Sequence, residues 1–130
     1  MTEPQWLKRT WVDALHFQQL QRFGGSYGIR DAGAIDSALA RPINQWHYLE
    51  QPDVATLAAA YGYGLTRDHG YVDGNKRVGF VAMAVLLHLN DWQLDAPEAE
   101  VVRVMLAVAA GTMSEAELAG WVRAHLQSPK

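Results

Sequence analysis

The chain has 130 residues, of which 49% are hydrophobic and 19% are charged, and its formal net charge is −3. These values exclude an intrinsically disordered chain, and the length suits one compact domain over residues 1–130. A folded chain of this size exposes ~6,800 Å² of the ~21,000 Å² exposed when unfolded, so one hydrophobic core is expected. The acidic balance argues against a nucleic-acid partner. Because cysteine is absent, disulfides, thiolate metal sites and a cysteine nucleophile are excluded.

Neither a secretion signal nor a membrane span is expected. The first residues (MTEPQWLKRTW) lack an apolar signal core. The longest apolar run, residues 78–89, is too short for a bilayer, which needs roughly 20 residues. We therefore expect a cytoplasmic protein without membrane contact.

The spacing of apolar residues predicts helices joined by short loops. Thr10, with Asp13 three residues later, is expected to cap a first helix that ends at the glycine pair 24–25. The apolar residues at roughly helical spacing in it are Val12, Leu15, Phe17, Leu20 and Phe23. Asp31 is expected to cap a second helix that stops at Pro42.

The middle of the chain predicts two further helices around a turn. Pro52 is expected to start an alanine-rich third helix that runs to about Asp68. The Asp-Gly pair within residues 69–75 indicates a turn. Residues 78–89 are then apolar on nearly every face, which is typical of a helix in the middle of a fold, and Asn90 is expected to end it.

The C-terminal part completes an all-α pattern. Residues 92–97 are expected to form a short strand or a loop, and Pro97 is expected to open an amphipathic helix. Ser114 and Glu117 form a capping box for a last helix that ends near Gln127. Since strand content is minor, the predicted fold is a compact, single-domain helical bundle.

Residues 69–77 (HGYVDGNKR) gather residue types that suit phosphate chemistry. Two glycines lead into a helix N-terminus, where unpaired backbone N–H groups and the helix dipole favour an anion. Lys76 and Arg77 lie in the first turn, where the dipole opposes a cation by roughly 0.3–1 kcal/mol, and a bound anion would reverse that cost. His69 carries the side chain best suited to take a proton near neutral pH. Asp73 can hold a metal ion on the phosphates or orient Lys76.

Each of these residue types also has a structural interpretation. An Asp-Gly pair is usually a turn, a lone histidine near a helix end is usually packed or solvated, and first-turn cations can simply be solvated. Arg30 and Asp31 are expected to make a loop contact and a helix cap. The histidines outside the motif show no metal-ligand spacing, so no structural metal site is expected; they are His16, His47, His88 and His125. The complete nine-residue string favours a functional loop.

HGYVDGNKR resembles the signature loop of the Fic/Doc family. That loop has a histidine, an aromatic residue two positions later, an acid two positions after that, then a small residue and Asn-x-Arg. The lysine before the arginine resembles the death-on-curing (Doc) branch. Residues 22–42 (RFGGSYGIRDAGAIDSALARP) are similar to the N-terminal region of Doc-type toxins, so the resemblance covers residues 11–126.

The resemblance implies a helical bundle with a central buried helix after the anion-binding loop. Such a protein binds a nucleoside triphosphate and modifies a hydroxyl of a target protein. By resemblance, His69 is the base that deprotonates this hydroxyl, Asp73 helps to place Mg²⁺ or the loop lysine, and Tyr71 is the buried anchor of the loop. The residues implied to hold the phosphates are Gly74, Asn75, Lys76 and Arg77.

Two departures from the loop of AMP-transferring Fic proteins favour a kinase. Lys76 stands where those loops carry glycine, and Phe80 stands where they carry a second arginine, so a bidentate phosphate clamp is missing. Doc-type members share both departures and present the γ-phosphate. We therefore expect phosphate transfer from ATP to a Ser/Thr hydroxyl of a protein, with AMP transfer as the alternative.

The resemblance also implies the toxin of a type II toxin–antitoxin system, which arrests translation by modifying elongation factor Tu. No serine or threonine is followed by glutamate four residues later, so the inhibitory helix of many Fic enzymes is not expected. Restraint would come from a cognate antitoxin. Residues 42–51 fall where family members carry a flap that aligns the target, and they are expected to form either a short β flap or a packed loop. Two other hypotheses are a non-catalytic peptide-binding module and a DNA-binding regulator. The acidic net charge argues against the DNA-binding regulator.

Overall fold

The computed structural model describes residues 2–128 as six helices and a two-stranded sheet. The helices are α1 (Arg9–Phe23), α2 (Ala32–Tyr48), α3 (Val54–Arg67), α4 (Asn75–Leu89), α5 (Glu98–Ala110) and α6 (Glu115–Ala124). Strands β1 (Gln93–Leu94) and β2 (Leu126–Gln127) pair antiparallel, with Gln93 opposite Gln127. The predicted all-α class is confirmed. Within the described residues, none of the helices has the length and hydrophobicity to cross a membrane.

Helix α3 lies at the centre of the bundle and packs against α2, α4 and α6. Of its 14 residues, 11 are buried, many of them alanine or glycine. The small residues allow close approach: a Cβ on Gly62 would lie 2.4 Å from Met83 Sδ. The sequence predicts α4 in the middle of the fold, but only one side of α4 is buried. The buried residues on that side include Val78, Ala82 and Leu86, and most of the residues on its other side are half-buried. Helix α3, which has the smaller side chains, is therefore the more central of the two helices.

Helix α1 starts differently from the prediction. It begins at Arg9 with Lys8 as the N-cap residue, and no side chain caps it, so Thr10 and Asp13 do not form a capping box. The Asp13 carboxylate accepts a hydrogen bond from Arg9 Nε at 3.1 Å instead. Of the apolar residues at helical spacing, Phe17 is 46% exposed.

The buried face of α1 follows an i, i+4 spacing that includes a polar residue. Val12, His16 and Leu20 are buried, whereas Phe23 at the helix end is 59% exposed. Apolar spacing alone could not detect this face, because a histidine occupies its middle position.

The predicted stop of the second helix at Pro42 is wrong. Asp31 caps α2 as predicted, with its Oδ1 accepting from Ala34 N at 3.0 Å, but the helix continues through Pro42 to Tyr48. Pro42 is buried, and Gln45 Nε2 donates to the Glu115 carboxylate of α6 at 2.7 Å. These tertiary contacts offset the backbone hydrogen bond that proline cannot make. Most of the segment 42–51 is therefore helical, and neither a β flap nor a packed loop forms there.

The remaining boundaries are close to those predicted. Asp53 caps α3, accepting from Thr56 N at 2.9 Å. The predicted capping box of the last helix is confirmed, with Glu117 N donating to Ser114 Oγ at 3.1 Å. That helix ends at Ala124 rather than near residue 127, because the following residues pair with β1.

Candidate functional site

Two irregular segments lie side by side at the N-terminus of α4. We call them the His69 loop (residues 69–74) and the glycine segment (residues 24–31). The Gly70 carbonyl accepts hydrogen bonds from the backbone N–H groups of Arg30 and Asp31, at 2.8 and 2.9 Å. These bonds tie the loop to the start of α2, so its conformation depends on both segments.

Glycine is required at two points where the segments meet. Gly74, the N-cap residue of α4, has φ +77°, and Gly25 has φ +124°, which are left-handed values that favour glycine. A Cβ on Gly25 would lie 2.8 Å from both Asp73 Oδ2 and Leu20 Cδ2. Any side chain at Gly25 would therefore strain the backbone and displace the Asp73 carboxylate.

The Asp73 carboxylate is exposed and held by backbone donors. Its Oδ2 accepts from Ser26 N at 3.1 Å and its Oδ1 from Gly74 N at 2.8 Å. These two hydrogen bonds, with the nearby Arg77 and Lys76 charges, hold the pKa of Asp73 below its usual range. An ionised, exposed carboxylate can bind a divalent cation that also contacts phosphates. Among residues 2–128, no cluster of three or more His, Asp or Glu could hold a metal by itself.

Two residues expected to hold phosphates bind the backbone in this structure. Asn75 Oδ1 accepts from Tyr71 N at 3.1 Å, and Asn75 Nδ2 donates to the Tyr71 carbonyl at 2.9 Å. Arg77 Nη1 donates to the Gly24 carbonyl at 2.7 Å, at the C-terminus of α1. Lys76 is exposed, and within residues 2–128 its ammonium has no hydrogen-bond or ion-pair partner. The first-turn N–H groups of α4 have no acceptor within the helix, so this end can bind an anion.

His69 lies at the other end of the loop with an exposed side chain. Its φ of +52° is unusual for a residue other than glycine, and its carbonyl accepts from Arg30 Nη1 at 3.0 Å. Strained backbone of this kind costs on the order of 1–3 kcal/mol and concentrates at functional sites. The imidazole has no hydrogen bond within the described part of the chain. Burial raises the pKa of the adjacent Asp68, against the opposing charges of Arg41 and His69.

The buried anchor beneath the loop is Tyr71, as the sequence predicted. Its side chain is 2% exposed, and its hydroxyl donates to Asp13 Oδ1 at 2.5 Å. Its ring stacks on the His16 ring, with a centroid distance of 3.7 Å and an interplanar angle of 13°. Burial, followed by the hydrogen bond to the Asp13 carboxylate, raises the pKa of Tyr71 far above its usual range.

A family model described as the Fic/DOC family matches residues 6–87, which include α1, the glycine segment and the His69 loop. The chain belongs to the Fic/DOC family. The resemblance on which the sequence prediction rested is therefore confirmed.

The chain is also similar to two relatives and to one solved structure. It is 41% identical over 75 residues to Toxin Doc of Mycolicibacterium smegmatis, covering 57% of this chain and 58% of that toxin. It is 29% identical over 111 residues to the protein kinase doc of Escherichia phage P1, covering 85% and 86%. Its structure is similar to the crystal structure of BepC, a VirB-translocated effector protein from Bartonella tribocorum, with bound AMPPNP. The TM-score is 0.63 at 14% identity, over 100% of this chain and 79% of BepC. That likeness shows the Fic fold.

The sequence prediction missed one residue of this Fic/DOC site. His16 Nε2 lies 2.7 Å from the Asp73 carbonyl, on the buried side of the loop. The sequence gives His16 no metal-ligand spacing and so predicts no site role for it. The signal that would have found it is a single polar residue at the centre of an otherwise apolar i, i+4 face.

Proposed function

We propose that this chain is a Doc-type toxin kinase that transfers the γ-phosphate of ATP to a Ser/Thr hydroxyl of a protein. The observation that carries the proposal is the arrangement of the His69 loop. An exposed imidazole with no hydrogen-bond partner among residues 2–128 stands at one end, and a helix N-terminus suited to an anion stands at the other with the exposed Lys76. The names of the two relatives, Toxin Doc and protein kinase doc, support the same reading.

The proposed roles follow from which groups are accessible. The backbone N–H groups after Gly74 and the Lys76 ammonium bind phosphate oxygens, while Asn75 and Arg77 hold the backbone that presents them. Asp73 holds Mg²⁺ on the nucleotide, and that ion would neutralise phosphate charge when bound. The AMPPNP in BepC supports a nucleoside triphosphate as the ligand class.

In the proposed reaction, His69 takes the proton of the target hydroxyl. The hydroxyl oxygen forms a bond to the γ-phosphorus, and the bond from that phosphorus to the β,γ-bridging oxygen breaks, which releases ADP. Phosphoryl transfer of this kind depends mainly on positioning and charge neutralisation. Phe80, in the second turn of α4, is half-buried and packs against the core, so an apolar ring occupies the position at which a second arginine would support AMP transfer.

The wider biology is proposed from the same relatives. We infer that residues 1–130 act as a single Fic/Doc domain in the cytoplasm, without membrane or nucleic-acid contact. The target would be a translation protein, with elongation factor Tu implied by the family resemblance. A cognate antitoxin would restrain the toxin.

Incubation with γ-labelled ATP, Mg²⁺ and a bacterial extract tests the proposal. Wild type and His88→Ala, an exposed histidine at the other end of α4, should label one protein, and His69→Ala should not. In a parallel reaction with α-labelled ATP, label on the protein would establish AMP transfer instead. If no label transfers and expression arrests growth equally with and without His69, the chain is a binding module.

A further inference from the structure

His16 is fully buried in α1, yet it contacts the His69 loop. Its Nε2 lies 2.7 Å from the Asp73 carbonyl oxygen. Because a carbonyl oxygen only accepts, Nε2 must carry the proton. Nδ1 is buried and, among the described residues, has no hydrogen-bond partner. The contact therefore defines Nε2 as the donor nitrogen of the ring.

Helix α1 holds the loop at a second point close by. Asp13, three residues before His16, accepts the hydroxyl hydrogen bond of Tyr71, whose ring stacks on His16. Residues three apart share one helix face, so both contacts come from the same side of α1. Arg9 bridges Asp13 and Asp36 of α2, at 3.1 and 2.7 Å, which fixes the Asp13 carboxylate.

The carbonyl that His16 binds controls the start of α4. It belongs to the same planar peptide unit as Gly74 N–H. That N–H donates to Asp73 Oδ1 at 2.8 Å. Holding the carbonyl therefore holds the peptide plane, and the plane in turn orients both the Asp73 carboxylate and the left-handed Gly74 from which α4 begins.

We propose that His16 is a positioning residue for nucleotide binding, acting through the peptide between Asp73 and Gly74. This inference rests on the proposed function, because the groups it orients are those assigned to Mg²⁺ and phosphate. His16 is buried beneath the loop and acts without touching the nucleotide. Loss of its hydrogen bond misaligns the carboxylate and the first N–H groups of α4, even when the fold persists.

Two variants of the full chain separate the hydrogen bond from the packing. His16→Phe keeps a ring for the stack on Tyr71 but has no donor, whereas His16→Gln carries a donor near the position of Nε2. Binding of Mg²⁺ with AMPPNP is measured by calorimetry, and the Mg²⁺ dependence of γ-phosphate transfer is measured beside it. Thermal unfolding verifies that both variants fold.

We expect His16→Phe to weaken Mg²⁺–AMPPNP binding by about 10- to 100-fold, the usual effect of losing a partner that orients a metal-holding group. It should raise the Mg²⁺ concentration needed for half-maximal transfer, and His16→Gln should restore most of both. A purely structural residue would lower the unfolding temperature in both variants without moving the Mg²⁺ dependence. Wild-type affinity in the Phe variant would overturn the proposal.

A measurement on the wild type covers the case in which His16→Phe does not fold. Nitrogen NMR of the imidazole should show the Nε2–H tautomer, with a shift that changes when Mg²⁺–AMPPNP binds. An unchanged His16 signal on binding would overturn the positioning role. If the wild type binds Mg²⁺–AMPPNP but transfers no phosphate, the kinase proposal fails while the binding comparison still tests His16.

Discussion

The His69 loop and the cleft between α2, α3 and α6 both gather charged side chains, but they use them differently. In the cleft, of about 440 Å³, charges pair with each other, as Arg123 Nε does with Asp53 Oδ2 at 2.6 Å. In the loop region, polar side chains bind backbone carbonyls, as Arg30 does at His69 and Arg77 at Gly24.

The comparison distinguishes polar residues that pair with another charged side chain from polar residues that bind the backbone. A pair of exposed charges contributes little to stability and can be replaced without changing the backbone. A side chain that binds a carbonyl determines where that peptide lies, so its loss changes the shape of the loop. Among the described residues, the polar side chains without a partner at the two ends of the loop are His69 and Lys76, which leaves both accessible to a ligand.

Removing the free imidazole should have the largest effect. His69→Ala should reduce γ-phosphate transfer by about 10²- to 10⁴-fold, the usual contribution of a general base, without altering the unfolding temperature. Initial rates with labelled ATP measure the effect, and His88→Ala serves as the matched control. Transfer by His69→Ala at the rate of the control would remove His69 from the mechanism.

Removing the buried anchor should unfold the loop region. Tyr71→Ala should cost about 3–5 kcal/mol of unfolding free energy, because a buried aromatic ring that stacks on His16 is lost. Denaturant unfolding measures this cost. Tyr48→Ala, at a site 87% exposed, should change stability little. Equal effects of the two variants would contradict the buried anchor.

The free ammonium should affect nucleotide binding more than the fold. Lys76→Gln should weaken Mg²⁺–AMPPNP binding by roughly 10- to 100-fold, the value of one charge-assisted hydrogen bond to phosphate. Lys76→Arg should retain part of the affinity. The exposed Arg103, changed to Gln, is the control. Unaltered affinity in Lys76→Gln would show that the ammonium faces solvent in the complex.

The loop should be more sensitive to alkali than the cleft. The pKa of Tyr71 is raised in the folded state, so the unfolded chain loses the phenol proton first. The contribution of Tyr71 to the free energy of unfolding is therefore complete below the usual tyrosine pKa of about 10. It decreases as the pH rises beyond that value. Burial also raises the pKa of Tyr61, to about 12. Unfolding free energies between pH 8 and pH 11 should decrease less steeply in Tyr71→Phe than in wild type; equal slopes would contradict this.

In the cleft, the free energy of unfolding should depend on pH in the opposite direction, and this effect should be the smallest of the five. The Arg123 hydrogen bond holds the pKa of Asp53 well below its usual range. The stabilisation from the Asp53 carboxylate is therefore present above the pKa of aspartate in the unfolded chain, about 3.9, and is lost as the pH falls further. Asp53→Asn keeps an N-cap acceptor for Thr56 and should cost only about 0.2–1 kcal/mol at neutral pH. A larger cost, measured by denaturant unfolding, would show that the pair supports the backbone as the loop contacts do.

What the sequence could predict depends on how local the determining contacts are. The caps at Asp31 and Ser114 were predicted correctly because a cap bonds within its own first turn. The burial of Tyr71 also followed from the family pattern. The continuation of α2 through Pro42 was missed because contacts with α6 offset a local penalty.

The residues of the candidate site could be predicted from their order in the sequence, but their contacts with one another and with α1 could not. The residues of the His69 loop could be named from their order, whereas His16 is 57 positions away from Asp73 in the chain. The backbone role of Arg77 likewise depends on where α1 ends, because its acceptor is the Gly24 carbonyl. Residue type indicated which groups suit phosphate, and only the fold showed which of them are already engaged.

We propose that His69 and Lys76, which have no partner among the described residues, carry the transfer of the γ-phosphate of ATP. ATP labelled with ³³P at the α-position and ³²P at the γ-position tests it in one reaction. Acceptor protein modified by wild type should carry ³²P without ³³P, and both labels should be absent with His69→Ala. Acceptor protein that carries ³³P, or that is labelled equally by His69→Ala, would contradict the account.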